Sequence, residues 1–207
     1  MKLSVVGRAT RLPMVPESRG PSAGETLAPL RFQAYVLLIS VQRCPSVVEF
    51  PVLQKIISGG QTGADRSALD FAITHGLPHG GWCPRGRLAE DGPISARYQL
   101  TETPTSDYAE RTAWNVRDSD ATVIFSTATT LTGGSQYTAE LARQYHKPFL
   151  HLSRDREGNS AAGKLLNFLA AYAIEVLNVA GPRASEDPDV AAFVQETLLR
   201  GLQAAGL

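Results

Sequence analysis

The chain has 207 residues, of which 43% are hydrophobic and 19% charged, and its 20 basic and 20 acidic side chains balance. This composition is typical of a globular domain, and the balanced charge gives no basic excess for nucleic-acid binding. The longest apolar run, "YVLLISV", is too short to cross a bilayer. Two cysteines, Cys44 and Cys83, favour a reducing compartment over a disulfide framework. We therefore expect a cytoplasmic protein that engages neither nucleic acid nor membrane.

Residues 1–51 differ in composition from the rest of the chain. "RLPMVPESRGPSAGETLAP" is rich in proline, glycine, serine and arginine without a sustained apolar period, which is typical of a flexible leader. Three interpretations stay open: an accessory segment, a transit-like leader, or upstream sequence translated from a start codon placed too early, with Val52 as the alternative start. The predicted ligand-binding domain spans residues 52–207.

From Leu53 onward, apolar stretches alternate with helical patterns. The predicted strands are "KIIS", a short strand near Trp82, "ATVIFS", "KPFLHL" and "IEVLNVA". The helices between and after them have predicted inner faces, in chain order, at Leu69, Ala72, Ile73 and Gly76; Ala109, Thr112, Ala113 and Val116; Thr138, Leu141, Ala142 and Tyr145; Leu165, Phe168, Leu169 and Tyr172; and Val190, Phe193, Val194 and Thr197. Apolar strands separated by amphipathic helices predict an α/β fold: a Rossmann-like three-layer domain with a mainly parallel sheet covered by helices on both faces.

Two glycine-rich loops follow predicted strands, "SGGQTGAD" after "KIIS" and "TTLTGGS" after "ATVIFS". Ligands of parallel sheets bind beyond the carboxyl ends of the strands, where glycines permit close approach and free N–H groups at a helix start favour an anion. Each loop alone is equally compatible with a tight connection, but two at one sheet edge favour an anion site. The candidate ligand-binding residues are Gly59, Gly60, Gln61, Thr62, Gly63 and Asp65 in the first loop, and Thr132, Gly133, Gly134, Ser135 and Thr138 in and after the second.

A third loop, "GWCPRGRLAEDGP", gathers further side chains that can contact a ligand. Trp82 could stack on a flat ring, and Arg85 and Arg87 could clamp a phosphate, unless the segment is only a well-ordered surface loop. Asp65 either caps its helix or accepts a hydrogen bond from a ligand hydroxyl such as a ribose. Glu140 is either a general acid, a ribose contact, or an exposed helical glutamate.

The sequence lacks the motifs of several classes of enzyme. Neither glycine-rich loop ends in the Lys-[Ser/Thr] of a Walker P-loop, and neither matches the G-x-G-x-x-G dinucleotide fingerprint. Cys83 has no CxxC partner and no histidine at metal spacing, so no metal site is predicted. A nucleoside triphosphatase, a plain NAD dehydrogenase and a zinc enzyme are therefore all disfavoured.

Several long motifs, "KIISGGQTGADRSALDFA", "GWCPRGRLAEDGPI", "SDYAERTAWNVRDSDATVIF", "TGGS", "KPFL" and "LNVAGPRASEDP", occur in order between about residues 53 and 202. Together they resemble the family named "putative molybdenum carrier", a circularly permuted YpsA-like branch of the SLOG superfamily. The resemblance implies a Rossmann-like fold, homo-oligomers, and binding of a nucleotide derivative or of molybdenum cofactor, which ends in a phosphate. It places the ligand loops at residues 59–63 with Asp65, and at residues 132–135.

Three hypotheses about function stay open. The first is a cytosolic protein that binds a phosphate-bearing ligand, either a nucleotide or molybdenum cofactor, across the two loops. The second is a nucleoside 5'-monophosphate phosphoribohydrolase-like enzyme with Glu140 as acid/base and Arg85 as phosphate clamp. "TGGSQYTAE" resembles the PGGxGTxxE motif of such enzymes in its glycine pair, Thr138 and Glu140, but lacks the leading proline and the third glycine. The third is an oligomeric scaffold whose loops are only structural.

Overall fold

The computed structural model describes residues 53–204, and the predictions for residues 1–51 fall outside this range. Helices and strands alternate along most of it, as the hydrophobic pattern predicts. In chain order the elements are β1 (Lys55–Ile57), α1 (Ala64–Thr74), β2 (His79–Gly80), β3 (Trp82–Cys83), β4 (Leu88–Ala89), β5 (Gly92–Pro93), β6 (Thr101–Glu102), α2 (Tyr108–Arg117), β7 (Ala121–Ser126), α3 (Gly133–Gln144), β8 (Phe149–Ser153), α4 (Arg154–Glu157), a 3₁₀ turn (Gly158–Ser160), α5 (Ala161–Ala171), β9 (Val176–Ala180) and α6 (Val190–Ala204).

A five-stranded sheet in the order β2-β1-β9-β7-β8 forms the centre of the domain, and every pairing in it is parallel. The last strand, β9, lies between β1 and β7, with Leu177 paired to both Ile56 and Ala121. Every residue of β7 is buried, as expected for a strand covered on both faces. The predicted Rossmann-like α/β fold is confirmed.

The helices cover both faces of this sheet. On one face α1, α5 and α6 pack around a large apolar cluster that includes Phe71, Leu165 and Phe193. On the other face α2 and α3 pack together through Val116 and Leu141. Each fully buried side chain of this size contributes roughly 1.5–3 kcal/mol to stability. Within residues 53–204 no helix has both the length and the apolar content needed to cross a bilayer.

The predicted inner faces of the helices are confirmed except at helix ends and on α2, where Val116 is buried but Ala109, Thr112 and Ala113 are only partly buried. Ile73, Tyr145 and Tyr172 are predicted to face inward but are 41%, 41% and 57% exposed, and Gly76 is also exposed. Ile73 lies in the last turn of α1, Tyr145 and Tyr172 are the C-terminal caps of α3 and α5, and Gly76 lies beyond α1. Because each helix stops or leaves the sheet there, the 3.6-residue period no longer points at the core.

Residues 81–106, between β2 and α2, form a small lobe rather than a plain loop. It contains the two-stranded parallel pair β3–β6 and the antiparallel hairpin β4–β5, so the short strand predicted near Trp82 is confirmed. The Arg87 guanidinium organises the lobe by donating to the carbonyl oxygens of Ile94 and Tyr98 at 2.8 and 3.0 Å, and also to those of Ser95 and Leu100. Arg87, predicted as a phosphate donor, therefore has its donors engaged by the protein itself.

Candidate functional site

A cleft of about 180 Å³ opens at the carboxyl edge of the sheet. The chain leaves β1 toward α1 on one face and leaves β7 toward α3 on the other, with β9 between them, and such a divergence creates a crevice in α/β sheets. Four segments line the cleft: Gly59, Gln61 and Asp65; Tyr108, Ala109, Arg111, Thr112 and Asn115; Gly134, Ser135, Tyr137 and Thr138; and residues 178–181 with Arg183 and Glu186.

A buried ion pair forms one wall of the cleft. Arg111 Nη1 lies 2.9 Å from Asp65 Oδ2, and the two side chains are 16% and 4% exposed. Burial raises the pKa of the Asp65 carboxyl, while the charge and hydrogen bond of Arg111 and the backbone N–H of Gln61 oppose that rise. Asp65 thus accepts its hydrogen bonds from the protein, but it does not cap α1: the N-cap of that helix is Gly63, and no side chain makes a capping hydrogen bond there.

Gly59 makes room for this ion pair. A Cβ atom at Gly59 would overlap the Arg111 guanidinium, so only glycine lets the guanidinium lie against the main chain there. Among residues 53–204, Arg111 Nε is the single buried side-chain nitrogen or oxygen that lacks a hydrogen-bond partner. Such an atom is costly to leave unsatisfied and marks a place where the protein alone does not complete the hydrogen bonding.

The first glycine-rich loop is closed by the chain's own groups. The Thr62 hydroxyl contacts the Glu90 carboxylate and accepts from Ala184 N at 3.1 Å. Gln61 Oε1 accepts from the backbone N–H groups of Thr62 and Glu90, each at 3.0 Å. At the start of α1, Ala64 N donates to the Pro182 carbonyl at 3.3 Å. The α1 N-terminus is therefore covered by protein groups instead of opening fully into the cleft.

The second glycine-rich loop is open. Thr132, the N-cap of α3, makes no side-chain capping hydrogen bond, and the first turn of α3 contains no acidic residue. Gly134 and Ser135 from this turn line the cleft. The first N–H groups of a helix have no partner within the helix, and the helix dipole makes this end favourable for negative charge. This end of α3 can accept an anion.

The cleft brings together six of the predicted ligand-binding residues: Gly59, Gln61, Asp65, Gly134, Ser135 and Thr138. The Thr138 hydroxyl donates at 2.8 Å to the Gly134 carbonyl of its own helix. Five other predicted residues of the two loops do not line the cleft: Gly60, Thr62, Gly63, Thr132 and Gly133. Of these, Thr62 and Gly63 line a separate, more open pocket between α1 and α6.

The remaining candidates lie elsewhere. The Trp82 ring packs edge-on against Trp114 with centroids 4.6 Å apart, and its Nε1 donates to Asp118 at 2.7 Å. Arg85 is exposed on the small lobe. Glu140, two residues beyond Thr138 in α3, does not line the cleft and accepts a hydrogen bond at 2.9 Å from Gln136 of the same helix.

Sequence reasoning missed the contribution of α2. Tyr108, Arg111 and Asn115 line the cleft, although the sequence prediction concerns only the apolar face of this helix. Arg111 and Asn115 are four residues apart, which places them on one face of α2, and this polar stripe beside the apolar one was the available signal. Asn115 also holds the small lobe in place, because its amide exchanges hydrogen bonds of 2.8 and 2.9 Å with the backbone of Trp82.

The fold and the cleft define a Rossmann-like α/β protein with a candidate anion site at the carboxyl edge of its parallel sheet. Residues 56–202 match the model of the "Circularly permutated YpsA SLOG family", and the chain belongs to that family.

A solved structure agrees with this assignment. The "Crystal structure of Putative molybdenum carrier protein from Syntrophus aciditrophicus SB at 1.45 Å resolution" is 52% identical in sequence, covers 73% of this chain and 96% of its own, and superposes with a TM-score of 0.72. A search of curated proteins found none that matches the chain. The family resemblance drawn from the sequence motifs is confirmed.

Proposed function

We propose that this chain is a molybdenum carrier-like protein that binds a phosphate-bearing ligand, either a nucleotide derivative or molybdenum cofactor, in the cleft. The observation that carries the proposal is the uncapped start of α3, which opens into the same cleft as the Arg111 guanidinium. Similarity to a protein named as a molybdenum carrier supports the ligand class.

The electrostatics of the cleft favour an anion at α3. A charge at a helix N-terminus gains about 0.3–1 kcal/mol, and up to about 2 kcal/mol when partly buried. At Gly134 a ligand can come close to the main chain, because no atom from outside the helix backbone lies within 4 Å of the position that a Cβ would take. Arg183 brings a second guanidinium to the cleft wall, 3.1 Å from Glu186 and 3.9 Å from Glu90. The Arg183 and Glu186 side chains are 47% and 57% exposed, and an exposed ion pair is weak enough to be exchanged for a phosphate contact.

The donor set fits the phosphate of molybdenum cofactor as well as that of a nucleotide. Within the described part of the chain, no cluster of three or more His, Cys, Asp or Glu side chains could hold a metal ion. Contacts to the cofactor would thus be made to its phosphate and its organic part. The cleft, at about 180 Å³, is smaller than the roughly 300–1,000 Å³ of typical small-molecule pockets. It would enclose the phosphate and the adjoining part of the ligand.

The phosphoribohydrolase hypothesis is not favoured. Its acid/base candidate Glu140 is bonded to Gln136, and its phosphate clamp Arg85 lies on the small lobe; neither side chain lines the cleft. The scaffold hypothesis differs from ours in predicting that no ligand binds.

The experiment is calorimetric titration of the purified chain with AMP and with molybdenum cofactor, for the wild type and for Gly134→Asp. The new carboxylate would sit at the start of α3 and repel the ligand phosphate, so we expect at least a tenfold rise in Kd. It should not lower thermal stability, because an acidic residue in the first turn stabilises a helix. Gly163→Asp is the matched control, since Gly163 lies near the start of α5 with equally open surroundings. Tight binding to Gly134→Asp would refute the site, and no binding of either probe to the wild type would favour the scaffold.

Two further properties stay predictions. The resemblance implies a homo-oligomer, which sedimentation velocity of the purified chain would test. The cysteine usage and composition predict a cytoplasmic location, which microscopy of a tagged chain would test.

A further inference from the structure

Two tyrosines line the cleft from neighbouring helices, Tyr108 at the start of α2 and Tyr137 in the second turn of α3. They are 43% and 38% exposed. Tyrosine pairs a large apolar ring with a polar tip, and proteins use such rings as contact surfaces for flat ligands. An exposed ring on the wall of a cleft is a surface that a ligand can cover.

The position of Tyr137 ties its ring to the candidate phosphate site. Gly134 and Tyr137 are three residues apart in α3 and line the same cleft, so they share one face of the helix. Long side chains in helices lean toward the N-terminus, which directs the Tyr137 ring toward the turn that contains Gly134. A phosphate at Gly134 and a ring against Tyr137 would then be separated by three residues of helix, roughly 4.5 Å along its axis. A sugar or a short linker between phosphate and ring fits that spacing.

Tyr108 faces the cleft from the other helix. Its ring centroid lies 6.0 Å from the Arg111 guanidinium carbon, beside the buried ion pair. The helices α2 and α3 pack against each other through Val116 and Leu141, and both tyrosines line the one cleft. The ring that the sequence favoured for stacking, Trp82, is held by Trp114 and Asp118.

We propose that Tyr108 and Tyr137 form the subsite for a planar nitrogen heterocycle, joined through a short linker to the phosphate at α3. This inference rests on the proposed function and specifies the chemistry of the ligand. A purine nucleotide and the phosphorylated pterin of molybdenum cofactor both have that chemistry, whereas a sugar phosphate or inorganic phosphate lacks the ring.

The test compares ligands with and without the ring. Kd values for AMP, for the phosphorylated pterin obtained by oxidising molybdenum cofactor, and for ribose 5-phosphate are measured on the wild type, Tyr108→Ala, Tyr137→Ala and Tyr137→Phe. Stacking of a base on an aromatic side chain changes affinity by about fivefold or more. We expect a ring-bearing ligand to bind at least about fivefold tighter than ribose 5-phosphate, the alanine variants to lose that advantage, and Tyr137→Phe to keep it. If only AMP binds more tightly than ribose 5-phosphate, the ligand is a purine nucleotide, and if only the pterin does, the ligand is the phosphorylated pterin of molybdenum cofactor.

Tyr145→Ala is the control, because Tyr145 is 41% exposed at the other end of α3 and does not line the cleft. It should change none of the three Kd values. Equal binding of all three ligands, unchanged in the tyrosine variants, would overturn the inference and leave the phosphate site of the proposed function standing. If none of the three ligands binds the wild type, both the proposed function and this inference fall.

Discussion

The two glycine-rich loops share a sequence character but have opposite surroundings. Each follows a parallel strand and begins a helix, α1 for the first and α3 for the second. The first is tied down by Glu90, Pro182 and Ala184 from distant parts of the chain. The second ends at Thr132, whose side chain makes no capping hydrogen bond. The first turn of α3 that follows is exposed at Gly134. One loop has become part of the packing, and the other presents its helix end to the cleft.

The difference shows that a glycine next to a helix start has two distinct uses. Gly59 and Gly63 are needed because other parts of the protein approach them, the Arg111 guanidinium in one case and the backbone of Pro182 and Ala184 in the other. At Gly134 a Cβ atom would have no other atom within 4 Å, so the protein itself does not require glycine there. The space beside Gly134 is instead available to a ligand.

The largest expected effect concerns the ion pair beneath the first loop. Asp65→Asn would leave the mostly buried Arg111 guanidinium without its counter-charge, and breaking such a pair costs about 3–5 kcal/mol of unfolding free energy. Asp70→Asn is the control, because the pair of Asp70 and Arg97 is exposed and such pairs contribute about 0–1 kcal/mol. Urea denaturation of both variants measures the difference.

The double variant Asp65→Asn with Arg111→Met sharpens this prediction. Because no unpaired charge remains, it should unfold at a higher urea concentration than Asp65→Asn alone. If Asp65→Asn lowers the unfolding free energy no more than Asp70→Asn does, the ion pair does not hold the first loop. The contrast between the two loops would then be contradicted.

The next prediction applies one substitution to both loops. Gly63 has a φ of 74°, and a Cβ there would lie 2.5 Å from the Pro182 carbonyl oxygen. Gly63→Ala should therefore destabilise the protein by about 3 kcal/mol. Gly134→Ala should stabilise it by about 0.5–1 kcal/mol, because alanine restricts the unfolded chain and meets no obstacle in the helix. A lower melting temperature for Gly63→Ala and a higher one for Gly134→Ala would support the contrast between the two loops. A similar loss of stability at both positions would contradict it.

Most of the fold could be predicted because its signals are local and repeated. Fully apolar segments such as "ATVIFS" and helix faces such as Val190, Phe193, Val194 and Thr197 repeat with the periods of a covered strand and an amphipathic helix. The errors at Ile73, Tyr145 and Tyr172 arose where helices end, because periodicity carries no information about where the chain turns away from the sheet. The small lobe combines a buried apolar cluster that includes Cys83 and Ile94 with Arg87 contacts to backbone carbonyls, and these Arg87 contacts have no sequence period.

The candidate site could be predicted only in outline. Parallel-sheet geometry indicates the edge at which loops converge, and Gly59, Asp65, Gly134 and Ser135 do line one cleft there. The contribution of Arg111 depends on a contact with Asp65 across 46 residues of sequence. Closure of the first loop depends on Glu90 and Ala184, whose contacts with Gln61 and Thr62 span 29 and 122 residues of sequence. No local pattern encodes such contacts.

The smallest expected effect is a pH dependence of the closed loop. Hydrogen bonds from the Ser185 and Thr62 hydroxyls hold the pKa of the Glu90 carboxyl below its ordinary value of 4.5. A carboxyl with a lowered pKa stabilises the fold above its ordinary pKa, and this stabilisation disappears as the pH falls through the lowered value. Glu90→Gln should therefore be less stable than the wild type at pH 7, and the difference should shrink below pH 4.5 as the wild-type carboxyl becomes protonated. Urea midpoints across that range measure it, with Glu175→Gln at an exposed position as the control. A difference that stays constant with pH would mean that Glu90 does not close the loop through its charge, and the first loop would then be held by the contacts of Gln61, Pro182 and Ala184.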